Sequence, residues 1–147
     1  QADPSLMIHM RLRMAKILRR TGEFEGAVNL LDEILRERNA MLNVQVEAAQ
    51  TFQEWAVARD ADRYLDAING VAMDGNPRQK VIWGWATLAR RTDQKPKFVD
   101  TFYQSRYNLA HCRYRYALAQ QGIDPMFSGT AWREQFSVSN TQLLLDL

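Results

Sequence analysis

The residues best suited to chemistry are four nitrogen-bearing side chains in the first twenty positions: His9, Arg13, Lys16 and Arg20. Their spacings of 4, 3 and 4 place them on one narrow arc of an α-helix, where successive residues are rotated by about 100°. Clustered cationic groups favour carboxylates, through charge-assisted hydrogen bonds and a field that attracts anions. The spacing therefore predicts a surface that binds an acidic segment of another protein, as an extended chain or a helix.

Residues for catalysis or metal binding are sparse. The two histidines are far apart in the sequence, and Cys112 directly follows His111, so on a helix these side chains diverge by about 100° and cannot form a nucleophile–base pair. There is no HExxH motif, no glycine-rich phosphate loop and no cluster with metal-ligand spacing. Helix capping and solvation explain Asp60, Asp62 and Asp66 better than acid–base catalysis does. We therefore predict no enzyme activity, no metal and no cofactor.

The composition is that of an ordinary globular chain. Its 147 residues fit one domain, and 46% are hydrophobic and 24% charged. Nineteen basic and seventeen acidic residues give a net charge of +2, too small by itself to predict nucleic-acid binding. One cysteine excludes an intrachain disulfide, and no apolar run approaches the roughly 20 residues that span a bilayer. The oligomeric state and compartment are not indicated.

Helical periodicity fills the long windows between the prolines, and none of them shows sustained alternation of apolar and polar residues. This pattern predicts about seven helices, at roughly 5–20, 24–38, 42–59, 62–73, 77–91, 97–121 and 131–145. Pro77 would lie in the first turn of the fifth helix, where its missing N–H costs nothing. No low-complexity linker divides the chain, so we predict a single domain over residues 1–147.

The first two helices have the clearest apolar faces. In the first helix, the apolar residues at spacings of three and four predict a buried stripe: Met7, Met10, Met14, Ile17 and Leu18. Gly22 permits the left-handed turn that ends this helix. In the second helix the same rule predicts a buried face of six residues: Phe24, Ala27, Val28, Leu31, Ile34 and Leu35. The small Ala27 marks a close crossing of the two helices.

The turn between these helices resembles a known repeat. The run Gly22-Glu23-Phe24-Glu25-Gly26-Ala27 has the order glycine, acidic, aromatic, acidic, any residue, alanine, and it resembles the tetratricopeptide repeat, a helix–turn–helix unit of about 34 residues. Tyr107-Asn108-Leu109-Ala110 is similar to the family's first-helix signature. The resemblance implies an all-α fold, a right-handed stack of antiparallel helical hairpins that forms an α-solenoid. Hairpins would lie at about 5–38, 42–73 and 77–121, with a C-terminal capping helix at about 131–145.

The resemblance also implies where a partner binds, because the first helices of successive hairpins line a concave face. Aligned on Gly22, the four nitrogen-bearing residues of the first helix match positions from which the family often contacts peptides. Aligned on Ala110, the same positions of the later helix are Gln104, Asn108, His111 and Arg115. We therefore expect a non-catalytic protein–protein interaction or scaffold module that binds a partner segment of acidic character in a groove lined by these eight residues.

Two other functions stay open. The first-helix cations also oppose an acidic second helix (Glu23, Glu25, Asp32, Glu33 and Glu37). They would then form a solvated face, and the chain would be a structural or regulatory domain of a larger protein. The second alternative is an RNA-binding helical repeat, because Arg113 and Arg115 alternate with Tyr114 and Tyr116.

Trp83 and Trp85 lie two residues apart, a spacing that cannot share one helix face. We expect one of them in the core and the other at its edge. Binding of a partner by an exposed tryptophan is the less favoured interpretation.

Overall fold

A computed structural model of the chain describes residues 3–122. This part is mostly helical, with six α-helices and one small antiparallel sheet. The helices are α1 (Pro4–Arg20), α2 (Phe24–Glu37), α3 (Leu42–Ala58), α4 (Arg63–Asn69), α5 (Gly84–Thr92) and α6 (Val99–Gln120). Strands β1 (Val71–Met73) and β2 (Asn76–Ile82) lie between α4 and α5, and a 3₁₀ turn at Pro96–Phe98 precedes α6. The helix expected at 131–145 lies outside the described residues.

The first hairpin forms as the sequence predicts. The Asp3 side chain caps α1 by accepting a hydrogen bond from the amide of Ser5 at 3.0 Å. Gly22 has a φ of +83°, the left-handed conformation that ends a helix. Five of the six residues expected inside α2 are buried, and Val28 is half-buried. Ala27 is fully buried, as a close helix crossing requires.

The buried face of α1 differs from the predicted one. Its buried residues are Ile8, Leu12 and Ala15, whereas Met10, Met14 and Ile17 are at least half exposed. Both sets recur at spacings of three and four, so periodicity alone cannot tell which of them faces the core. The predicted stripe is therefore wrong for Met10, Met14 and Ile17, whereas Met7 and Leu18 are half-buried at its edge.

A β-hairpin replaces parts of two predicted helices. The helix expected over 62–73 ends at Asn69, and the one expected over 77–91 begins only at Gly84. Pro77 lies in β2 rather than in a first helical turn, consistent with the tolerance of edge strands for proline. The turn is Asp74-Gly75, with Gly75 at a φ of +74°. The all-α prediction is thus confirmed only as a mostly helical fold.

Two glycines allow the backbone at the end of α4 to lie directly against the backbone at the start of α5. Gly70 and Gly84 have φ values of +75° and +76°. A Cβ on Gly70 would lie 2.0 Å from the carbonyl oxygen of Ile82, and one on Gly84 would lie 2.5 Å from the amide nitrogen of Gly70. No side chain fits between backbones this close, so the base of the β-hairpin requires glycine at both positions.

Two amide side chains fasten the end of β2 to the helices. Gln45 of α3, which is fully buried, donates from Nε2 to the Val81 carbonyl at 3.0 Å and accepts at Oε1 from the Trp83 amide at 2.8 Å. Asn39, between α2 and α3, donates to the carbonyls of Lys80 and Val81 at 3.1 and 2.9 Å. It also accepts from the Trp83 indole at 3.1 Å. These bonds satisfy backbone groups that the sheet leaves unpaired.

The helices pack in chain order, each on the next. Alternate helices also touch: α1 contacts α3, α3 contacts α5, and α4 contacts α6. The core runs through all of these contacts, from Ile8 on α1 to Leu109 and Cys112 on α6.

We expect Gly70→Ala to lower the free energy of unfolding by about 3 kcal/mol or more. The new Cβ would clash with the Ile82 carbonyl oxygen, and alanine would also be strained at a positive φ. Gly75→Ala is the matched control, since Gly75 has a similar φ but nothing within 4 Å of a Cβ; its effect should be about 1 kcal/mol. Urea unfolding measures both variants. Equal losses would contradict the close crossing.

Candidate functional site

The four predicted residues of α1 lie on its outer side. His9, Arg13 and Arg20 are exposed and Lys16 is half-buried. His9 Nδ1 donates to the carbonyl of Ser5 at 2.8 Å, which holds its ring along the helix. Within residues 3–122, Arg13, Lys16 and Arg20 make no ion pair, so their charges face solvent.

An apolar stripe lies beside these cations on the same helix. The side chains of Leu6, Met10, Met14 and Ile17 are 54%, 57%, 50% and 53% exposed. At about 100° per residue, the cationic set covers an arc of about 60°, and the apolar set covers the next arc of about 80°. The outer face of α1 is therefore half cationic and half apolar. We call it the α1 face, defined by these four residues with His9, Arg13, Lys16 and Arg20.

Two other arginines of α1 supply its internal ion pairs. Arg11 lies 3.7 Å from Glu33 and 3.1 Å from Glu37 on α2. Arg19 lies 2.7 Å from both Glu47 and Glu54 on α3. Burial alone would lower the pKa of the Arg19 guanidinium, because it disfavours the charged form. The hydrogen bonds to Glu47 and Glu54 and the charges of these carboxylates outweigh burial, so the pKa is raised. Sequence reasoning missed Arg19, because its position beside the buried Ala15 is evident only once the buried side of α1 is known.

These ion pairs are relevant to the structural-domain alternative, in which the predicted cations of α1 serve to balance the acidic residues of α2. The carboxylates of α2 that pair with α1 do so through Arg11, not through the predicted residues. Within the described part of the chain, no ion pair balances the positive charge of the α1 face.

The four predicted residues of α6 are more enclosed. Gln104 is exposed, whereas Asn108, His111 and Arg115 are half-buried. Asn108 accepts from Gln53 Nε2 at 3.1 Å and donates to the Gln104 carbonyl at 2.9 Å. The rings of His111 and Tyr107 stack with centroids 6.0 Å apart. Burial, and then the charge of Arg115, lowers the pKa of His111.

The two predicted groups are not brought together. α1 packs on α2 and α3, whereas α6 packs on α4 and α5. Asn108 also ties α6 to α3 through its bond with Gln53, but α1 and α6 are not a closely packed pair. The eight residues therefore lie on two helices that do not pack closely on each other, and those of α1 form a continuous surface of their own.

Both tryptophans of the pair lie in the core. Trp83 and Trp85 are 5% and 1% exposed, and the Trp85 indole donates to Gln53 Oε1 at 2.9 Å. Residues two apart in a helix point to different faces, but this rule does not apply here because Trp83 precedes the first residue of α5. The expectation that one of them lies at the edge of the core is therefore wrong.

The described residues offer little for covalent or metal chemistry. No group of three or more possible metal ligands occurs among them. Cys112 is buried, and burial raises the pKa of its thiol to about 12, so the thiol is protonated at neutral pH. Among residues 3–122, no helix is long and apolar enough to span a membrane.

Comparison of the chain with protein-family models, with curated proteins and with solved structures found no match.

We expect Arg19→Met to lower the free energy of unfolding by about 3 kcal/mol, because Glu47, whose side chain is only 8% exposed, would keep a charge without its partner. The double variant Arg19→Met/Glu47→Leu should recover much of that loss, since it removes both charges. Urea unfolding of the two variants and the parent tests this. A double variant as unstable as the single one would contradict the pairing.

Cys112 gives a pH dependence with a defined sign. Since the folded pKa is about 12 against an ordinary 9.0, the folded protein holds a proton that the unfolded chain loses. The contribution of the protonated thiol to the free energy of unfolding is fully present below pH 9. It is lost as the pH rises from 9 towards 12, by about 1.4 kcal/mol per pH unit. Unfolding of the parent and of Cys112→Ala between pH 8 and 10.5 measures it. Parallel pH curves would contradict the burial of the thiol.

Proposed function

We propose that this chain is a non-catalytic protein-interaction module. It is a stack of helical hairpins similar to tetratricopeptide repeats, and it docks an acidic amphipathic segment of a partner protein on the α1 face. The observation that carries the proposal is the side-by-side arrangement of four exposed apolar residues and four nitrogen-bearing residues on one helix.

The packing of the helices supports the hairpin stack. α1 with α2, α3 with α4 and α5 with α6 are consecutive packed pairs, and contacts between alternate helices join one pair to the next. Each pair buries a face that it could not bury alone, as in repeat proteins. The β-hairpin between α4 and α5 is an insertion into this scheme.

The apolar half of the α1 face supports docking. Apolar residues that lie exposed side by side on a helix mark a surface that other protein covers. Each of the four apolar side chains on the α1 face has about half of its surface still exposed, so complete burial by a partner would contribute about 1 kcal/mol per residue. Methionine suits such a surface because its flexible thioether adapts to the side chains that approach it.

The cationic half of the α1 face indicates the charge of the partner. Arg13, Lys16 and Arg20 have no carboxylate partner within residues 3–122. Carboxylates on one edge of a docking helix would pair with them while its apolar residues cover the methionines. Charge complementarity of this kind accelerates association and selects the orientation of the partner. An extended peptide without an apolar face would leave half of the surface uncovered.

A selection experiment tests the proposal. We expect a displayed library of random 18-residue peptides, selected on the full chain, to be enriched in amphipathic helices with Asp and Glu along one edge. The variant Met10→Glu/Arg13→Glu should bind the selected peptides at least about 100-fold more weakly, since it removes an apolar contact and reverses a charge. Arg106→Glu/Arg113→Glu, which reverses two exposed charges on α6, is the control and should change binding less than about threefold.

Three other outcomes would overturn the proposal. Peptides that bind the α1 variant as well as the parent would place the site elsewhere. A dimer in sedimentation equilibrium that Met10→Glu dissociates would assign the apolar half to a second copy of the chain. An absence of any enrichment would favour the structural-domain alternative.

A further inference from the structure

A second surface, separate from the α1 face, has the chemistry of an anion site. A cavity of about 290 Å³ lies between β2, α5 and the segment that joins α2 to α3. Four of its lining residues are cationic: Arg78, Lys80, Arg90 and Arg91. No Asp or Glu lines it. We propose that this cavity, hereafter the cationic cavity, binds a phosphate monoester.

The four cations are not neutralised by the rest of the described chain. None of them takes part in an ion pair within residues 3–122. Asp74, the acidic residue of the same β-hairpin, lies 3.5 Å from Arg36 instead. Four like charges around one space repel one another. A bound anion removes this repulsion, so the charge balance of the cavity is completed by a ligand.

The walls of the cavity are held in place by bonds that do not involve a ligand. Asn39 donates from its amide nitrogen to two carbonyls of β2 and accepts a hydrogen bond from the Trp83 indole at its amide oxygen. The Arg91 guanidinium lies over the Trp83 ring, with 4.4 Å from its carbon to the ring centroid, and Lys80 Nζ donates to the carbonyl of Asn69. Two of the four cations, Lys80 and Arg91, are therefore held in place before an anion enters, which lowers the entropy lost on binding.

One wall residue of the cavity adds a hydroxyl donor to the four cations. Thr87 of α5 lines the cavity and is only 6% exposed. Its hydroxyl makes no hydrogen bond within residues 3–122. The other buried threonines, Thr51 and Thr92, donate to the carbonyl four residues earlier, at 2.7 Å in each case. The Thr87 hydroxyl is free to donate to a phosphate oxygen that enters the cavity.

Charge and size select a phosphate monoester over other anions. A monoester carries about −1.5 to −2 charges at pH 7 and three acceptor oxygens, against one charge for a carboxylate. Guanidinium groups match those oxygens in pairs. The volume lies near the lower limit of about 300 Å³ for small-molecule pockets, which suits a phosphate and its carrier atoms but not a protein segment. One chemistry, a monoester, can come from a free metabolite or from a phosphorylated side chain.

Calorimetric titration at constant ionic strength tests the proposal. The probes are inorganic phosphate, O-phosphoserine, and a hexapeptide with and without one phosphoserine. We expect saturable binding of O-phosphoserine that weakens about tenfold or more in Arg78→Gln/Arg90→Gln and about tenfold in Thr87→Val, as expected when donors to a charged group are removed. Arg106→Gln/Arg113→Gln removes two exposed charges from α6 and should change the affinity less than about twofold. Thermal melts check that each variant is folded.

The outcomes separate the sources and the alternatives. Similar affinities for O-phosphoserine and the phosphopeptide support a free ligand, whereas a phosphopeptide bound at least tenfold more tightly supports a modified partner. Binding absent at millimolar probe, or weakened equally by the α6 control, would overturn the proposal. So would a single-stranded RNA that displaces O-phosphoserine with a steep salt dependence, since it would assign the cavity to nucleic acid.

Discussion

The fold depends on partners for the backbone groups that β2 leaves unpaired where it meets α5. Gln45 and Asn39 supply them, and both side chains come from α3 or the segment before it. A buried carbonyl or amide without a partner costs about 1–3 kcal/mol, so these bonds fix where β2 ends and α5 begins. The glycine crossing at Gly70 and Gly84 is compatible only with that position. The cationic cavity follows from it, because β2, α5 and Asn39 form its walls.

Ionic contacts explain why the two candidate surfaces carry unbalanced charge. Arg11 and Arg19 use the carboxylates of α2 and α3 that lie nearest to α1. Within residues 3–122, the remaining cations of α1 form no ion pair, and neither do those of the cationic cavity. The two surfaces differ in shape and polarity. The α1 face is long and half apolar, as helix docking requires, whereas the cavity is small, polar and cationic, as phosphate binding requires.

Local signals in the sequence were sufficient for the bounds of the first three helices and insufficient between residues 70 and 84. Gly22 and the apolar spacing of α2 specify a helix end and a buried face without help from distant residues. The β-hairpin had a local signal too, because Asp74-Gly75 is a typical hairpin turn, but the apolar residues around it also fit helical spacing. The strand forms instead because Val81 and Trp83 make hydrogen bonds to Gln45, which lies 36 and 38 residues earlier in the sequence.

The sequence by itself determined a mostly helical chain, the end of α1 at Gly22, the buried face of α2 and a row of cations on α1. Each depends on residues within one or two helical turns. Only the tertiary structure decided which apolar stripe of α1 is buried, that α6 lies away from α1, and that Arg78 and Arg90 meet across a cavity. These are relations between elements distant in sequence, and they depend on which surfaces pack together rather than on any local preference.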